Sequence, residues 1–115
     1  SDHRLIAEEI GKANDAEKRA HDVFCYRITK LAGGYVAGMN GVDAIVFTGG
    51  IGEHSAQARK DILAGFGYVG VEVDEEANAK DAFEISTAAS KVKAYVIPTN
   101  EELQMVRDAK ALLDK

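Results

Sequence analysis

The sequence predicts an α/β fold, with a few parallel strands flanked by helices. Three observations carry this. Asp43-Ala44-Ile45-Val46-Phe47-Thr48 is an apolar run, β-branched and aromatic, of the length of a buried strand. Lys91-Val92-Lys93-Ala94-Tyr95-Val96-Ile97 is a second such run, stopped by Pro98. Each is followed by a helical pattern, which makes the two natural parallel neighbours covered on both faces. A long amphipathic helix is expected ahead of both.

Length and composition bound the rest. The chain has 115 residues, enough for one domain spanning 1–115. Its hydrophobic share of 46% and charged share of 29% are ordinary for a globular protein. Net charge is −5, which argues against nucleic acid as a partner, because phosphate binding wants a basic face. No run approaches the length of a membrane span and no signal peptide is legible, so no membrane is expected and the location is expected to be cytoplasmic. Opening on Ser1 rather than Met, the chain is expected to be a cut or processed piece. The single cysteine, Cys25, excludes an internal disulfide and reads as a buried, inert thiol.

In chain order, Asp2 can cap a first short segment through Leu5, Ile6 and Ile10, which Gly11 and Asn14 are expected to break. A helix of about 25 residues is then expected from Asp15 to Met39. Its apolar positions are Ala16, Ala20, Val23, Phe24, Ile28, Leu31, Tyr35 and Met39, and Asn40-Gly41 ends it. Gly33-Gly34 inside it is expected to permit close packing, and His21 reads as a packed or solvated histidine. After the first strand comes Gly49-Gly50-Ile51-Gly52, then a helix to about Ala64, ended by Gly65-Phe66-Gly67. Val69-Gly70-Val71-Glu72-Val73 alternates and predicts a short edge strand. Asp74-Glu75-Glu76 predicts an acidic turn or one-turn helix, and residues 78–90 an irregular stretch. A last helix is expected from Asn100 to about Leu113.

Two places carry chemistry. Strand, glycine turn and helix N-terminus together offer backbone N–H groups to an anion, and glycine lets the backbone approach a ligand. The turn is neither a Walker A loop nor a dinucleotide fingerprint. A tight connection whose glycines serve only the turn stands as the other reading. Thr99-Asn100-Glu101-Glu102 fits a capping box, with Thr99 as cap and Glu102 folding back. That leaves Glu101 free at the C-terminal end of a strand, where open α/β sheets bind ligands. There it can take Mg²⁺ or a Mg²⁺-bound water, or be a solvated first-turn acid.

Three separated motifs then agree. Ser1-Asp2-His3-Arg4, Phe47-Thr48-Gly49-Gly50-Ile51-Gly52-Glu53 and Ile97-Pro98-Thr99-Asn100-Glu101-Glu102 occur in an order and at separations that resemble the acetate kinase family. Residues 22–28 and 84–87 are similar to it as well. The resemblance covers essentially the whole chain, and only the C-terminal part of a family member. It implies a partial ribonuclease-H-like (actin-like ATPase) domain whose N-terminal antiparallel meander is missing, leaving an open sheet edge. It implies ATP/ADP and Mg²⁺ as cofactors, acetate or another short carboxylic acid as substrate of the complete enzyme, and a homodimer. Asp2, His3 and Arg4 match the segment at the adenosine end of the nucleotide. Gly49, Gly50, Ile51 and His54 match the glycine loop around the adenosine, and Glu101 matches the Mg²⁺ glutamate. Two positions depart: the family usually has Asn at the position of His54 and often a bulkier apolar residue at that of His3. Histidine still donates a hydrogen bond and stacks, so nucleotide binding is expected to be loosened rather than lost.

The family's phosphoryl-transfer arginines, its histidine and its acetate pocket lie upstream of Ser1. The 115 residues alone are therefore expected to show essentially no turnover. A propionate or butyrate kinase segment and a stand-alone nucleotide-binding or interaction module are the alternatives.

Overall fold

A computed structural model describes the backbone over residues 2–98 and 104–106, and the side chains over 14–50 and 52–98. Helix α1 spans Asp2–Gly38. Strand β1 is Ala44–Thr48, followed by helices α2 (Gly50–His54) and α3 (Ala56–Leu63). A 3₁₀ segment, Ala64–Val69, continues α3. Helix α4 is Glu75–Ala79, and strands β2 (Lys93–Ile97) and β3 (Gln104–Val106) follow.

The sheet order is β2-β1-β3. β1 and β2 are parallel, with Ala44 opposite Lys93 and Thr48 opposite Ile97, as the two apolar runs predict. Every residue of β1 is buried. Alternation divides its side chains between two faces. Ile45 and Phe47 join the main core with Cys25, Ala32, Val36, Ile62, Leu63, Phe66 and Ile85. Ala44 and Val46 meet Tyr95 and Ile97 on the other face. The predicted irregular stretch after α4 borders the outer edge of β2. The Ile85 amide donates to the Ala94 carbonyl at 2.9 Å, and the Val96 amide to that of Phe83 at 2.8 Å.

Helix α1 differs from expectation in length and in register. It runs unbroken through Gly11 and Asn14, and Asp15 lies inside it rather than at its start. A helical glycine costs about 1 kcal/mol, which the Ala, Leu, Glu, Lys and Arg around it offset. Its buried stripe is Cys25, Ala32 and Val36, with Ile28 and Met39 partly buried. Val23, Phe24, Leu31 and Tyr35 face outward, at 37–59% exposure. Among the described residues Gly33 and Gly34 take part in no close packing, because a Cβ at either would meet nothing within 4 Å. Gly65 is where contact is tight: a Cβ there would strike the Thr29 methyl, so this glycine lets the end of α3 seat against α1. The helix stops where expected, with Asn40 and Gly41 at φ 58° and 117°.

Two strand and helix assignments change. Residues 69–73 form no strand; Val73 alone bridges Ser86. Gly70 closes the 3₁₀ turn at φ 95°, a left-handed position an alternating pattern cannot reveal. Of the expected last helix, Gln104–Val106 is instead strand, antiparallel to β1 with Val106 opposite Ala44. The side of β1 away from β2 is thereby paired from within the chain, which satisfies backbone groups a helix there would leave bare. Thr99, Glu101 and Glu102 lie outside the described residues. Helix α4 forms as predicted, with the Asp74 carboxylate accepting from the Ala77 amide at 3.1 Å.

Gly70 yields a paired prediction. A Cβ there would lie 2.7 Å from that of Lys91, on a left-handed backbone, whereas one at Gly67 meets nothing within 4 Å. Gly70→Ala should lose roughly 2 kcal/mol. Gly67→Ala should change stability by less than about 0.5 kcal/mol. Urea denaturation of the two variants checks both values.

Candidate functional site

The parallel pair brings its two C-terminal ends to one edge, since Thr48 sits opposite Ile97. The chain after β1 turns through Gly49 and Gly50, at φ 60° and 46°. Two successive left-handed residues need glycine and give a sharp turn from strand into helix. Among the described residues, nothing lies within 4 Å of a Cβ built at Gly50, so none of them covers its backbone. Gly52 faces inward, its Cβ position 3.5 Å from that of Phe47, an ordinary contact. The Glu53 amide donates to the Gly49 carbonyl at 3.0 Å, closing the first turn of α2. Helix α2 is five residues long, too short for an appreciable macrodipole. The loop therefore offers shape and backbone access more than field. Ser55 separates α2 from α3 and caps the latter, its hydroxyl accepting from the Ala58 amide at 3.1 Å.

Arg59 supports the loop from behind, and the sequence reading did not single it out. Its side chain is fully buried. Nη1 donates to the carbonyls of Gly52 at 3.1 Å and Glu53 at 2.9 Å. Nε donates to the Asn78 side chain and Nη2 to the Asn78 carbonyl, both at 2.7 Å. Nη2 also pairs with the Asp81 carboxylate. All five guanidinium donors are thus engaged. The Asn78 amide in turn donates to the Ala56 carbonyl at 2.9 Å. The legible signal was a charge in register with the apolar face: Arg59 stands three residues before Ile62 and four before Leu63.

The expected site residues do not all converge. Gly49, Gly50 and Ile51 form the turn itself, with Gly50 and Ile51 opening α2. His54 ends α2 with its side chain 74% exposed, 3.8 Å from the Glu53 carboxylate. Asp2, His3 and Arg4 open α1. Along a continuous helix Arg4 stands roughly 30 Å from Cys25, at 1.5 Å per residue. Cys25 adjoins Ala58 on α3, close behind the loop. The structure therefore does not bring Asp2, His3 and Arg4 to the glycine turn. Glu101 follows four residues after Ile97, outside the described residues. Among the described residues, no helix is long and apolar enough to cross a membrane.

Known proteins resemble this chain in sequence and in fold. The model of the Acetokinase family matches residues 1–107. Acetate kinase of Heliobacterium modesticaldum is 46% identical over 114 residues, 98% of this chain and 29% of that protein. Acetate kinase of Clostridium botulinum strain Langeland is 47% identical over 117 residues, 100% of this chain and 30% of that protein. The chain thus spans less than a third of these relatives. Among solved structures, Porphyromonas gingivalis acetate kinase superposes with a TM-score of 0.72 at 35% identity, over 84% of this chain and 25% of that one. A propionate kinase from Francisella tularensis gives 0.69 at 34% identity, over 86% and 26%.

The Arg59 network sets a second prediction. Arg59→Ala leaves buried carbonyls without donors and should lose at least about 3 kcal/mol. Asp81 is half exposed, so its share is screened. Asp81→Asn, which keeps an acceptor and tolerates the left-handed backbone, should cost under about 1 kcal/mol. Thermal unfolding followed by circular dichroism distinguishes the two.

Proposed function

Because the chain belongs to the acetokinase family, we propose that it is the C-terminal ATP-binding part of a kinase that transfers the γ-phosphoryl group of ATP to acetate, giving acetyl phosphate and ADP. The observation that carries this is the turn after β1. Two left-handed glycines, Gly49 and Gly50, make it, Arg59 holds the Gly52 and Glu53 carbonyls just after them, and it lies at the edge where both parallel strands end. Such an edge is where open α/β sheets take ligands. Gly49, Gly50, Ile51 and His54 are assigned to the adenosine of ATP or ADP. Asp2, His3 and Arg4 are assigned to its far side, a role that needs the start of α1 to stand nearer the loop than it does here. Glu101 is assigned to Mg²⁺, a hard cation that takes carboxylate oxygen. Magnesium would neutralise phosphate charge during transfer.

The described residues around the loop supply no guanidinium for the transferring phosphoryl group, since Arg59 directs all its donors inward. The transfer groups then belong to other parts of a complete enzyme, and the 115 residues alone bind nucleotide without turnover. The similarity to a propionate kinase keeps propionate beside acetate as acyl acceptor. The cytoplasm is the proposed location.

Calorimetry with ATP, with and without Mg²⁺, tests the assignment in an enzyme carrying this segment. Gly50→Val places a β-branched residue at a left-handed position and should abolish measurable binding, because it distorts the turn and covers the open backbone. Glu101→Ala should leave binding without metal intact and remove its enhancement by Mg²⁺. Unchanged ATP affinity in Gly50→Val rejects the loop assignment, and an unchanged metal effect in Glu101→Ala rejects the other.

A homodimer is the proposed assembly. With β1 paired on both sides, its support is the outward apolar stripe of α1, chiefly Phe24, Leu31 and Tyr35. Light scattering should report twice the chain mass, and Leu31→Glu should return it to the monomer value.

A further inference from the structure

His21 and Cys25 stand one helical turn apart on the same side of α1, where that helix crosses α3. Asp61 of α3 faces them. The His21 ring nitrogen Nε2 lies 2.7 Å from Asp61 Oδ2 and 3.5 Å from Cys25 Sγ. The three candidate donor atoms all lie within 4.8 Å of one another. From these positions we propose that His21 Nε2, Cys25 Sγ and an Asp61 carboxylate oxygen form a zinc site that fastens α1 to α3.

The spacing suits the ion. A tetrahedral zinc with Zn–N near 2.0 Å and Zn–S near 2.3 Å needs its nitrogen and sulfur about 3.5 Å apart. The His21–Cys25 separation meets that value without movement. The same geometry asks for about 3.3 Å between nitrogen and oxygen. The His21–Asp61 pair, now closed by a hydrogen bond, opens by roughly half an ångström, and the Cys25–Asp61 pair, within 4.8 Å, settles at about 3.5 Å, both by side-chain adjustment. Thiolate, imidazole and carboxylate together favour zinc over magnesium or calcium, which take oxygen only.

The surroundings are those of a ligand set with support. Gln57 Nε2 donates to Asp61 Oδ1 at 2.9 Å, which leaves Oδ2 to face the metal. Such outer partners orient metal-binding carboxylates. Cys25 is 5% exposed and forms the inner wall. His21 and Asp61, with side chains 32% and 36% exposed, leave the outer side open for water as the fourth ligand. Burial, with Asp61 and Asp22 nearby, pushes the Cys25 thiol up, so the free protein holds it protonated. Binding breaks the S–H bond and moves the His21 ring proton from Nε2, where it is donated to Asp61, to Nδ1; the thiol proton leaves to buffer, and the freed sulfur and nitrogen pairs form the Zn–S and Zn–N bonds. No change of oxidation state is involved. The site is independent of the nucleotide assignment, because it lies on the α1–α3 contact and uses none of the loop residues.

Cobalt(II) and zinc chloride are the probes. Cobalt added to the protein should produce a thiolate-to-cobalt charge-transfer band with tetrahedral d–d absorption, both removed by one equivalent of zinc. Zinc affinity, from competition with a chromophoric chelator, should fall at least about 100-fold in Cys25→Ala, His21→Ala and Asp61→Asn. Gln57→Ala should lose roughly tenfold. Circular dichroism shows which variants fold, and the cobalt spectrum of the unaltered protein decides the matter even if none does. Cobalt bound without a thiolate band, no binding at all, or equal zinc affinity in a folded Cys25→Ala overturns the site.

Discussion

A buried guanidinium is the constraint on which the arrangement around the glycine turn depends. Removing a cation from water costs several kcal/mol unless its donors are satisfied, and Arg59 is fully buried. Its five donors must therefore find acceptors at fixed positions. They find them in the Gly52 and Glu53 carbonyls, in both oxygens of Asn78, and in Asp81. Those acceptors belong to three segments: helix α2 after β1, helix α4 and the turn after it. One side chain thereby fixes how the loop meets residues 78–81. A bidentate, planar group suits this where lysine, a point charge with three donors, would leave acceptors unpaired.

The same economy governs the sheet. β1 is buried on both faces and hydrogen-bonded on both sides. Each fully buried Ile, Val or Phe side chain is worth about 1.5–3 kcal/mol, so Ile45, Val46 and Phe47 give this strand a large share of the stability. A strand so enclosed holds its C-terminal end still. The glycine turn begins at that end, and Arg59 secures its far side. Rigid anchoring behind and open backbone in front is the combination a binding loop needs.

Legibility in the sequence followed the physics of each element. The two parallel strands were readable because burial on both faces makes the run apolar throughout, leaving no alternation to misread. The Asn40-Gly41 stop and the Asp74 cap were readable because each rests on one residue's own chemistry. Helix α1 was harder. Its apolar residues make two adjoining stripes, and spacing alone does not say which one enters the core. Cys25, Ala32 and Val36 do; Phe24, Leu31 and Tyr35 do not. Residues 69–73 alternate like a strand, but three nearby glycines had already committed the chain to turns. The strand at 104–106 depends on a vacant side of β1, a tertiary fact that no local pattern contains. Arg59, and the pairing of His21 with Asp61, escaped for the same reason: a charged or polar residue on a helix reads as solvated until its neighbours are known.

Helix α1 shows what this implies for assembly. A helix apolar on one stripe lies at a surface, and one apolar over more of its circumference is enclosed. α1 buries Cys25, Ala32 and Val36 in the core while Val23, Phe24, Leu31 and Tyr35 stand in solvent. An apolar stripe of this extent is costly to leave wet and is a mark of contact with another surface. The glycines at 33 and 34 fit that reading better than the packing role first expected of them. Their Cβ positions face open space, so their cost in helix propensity is not repaid inside the described residues. A backbone left bare at that point admits close approach from outside. The inward stripe joins the helix to the core, and the outward stripe with its glycines leaves an apolar surface in solvent.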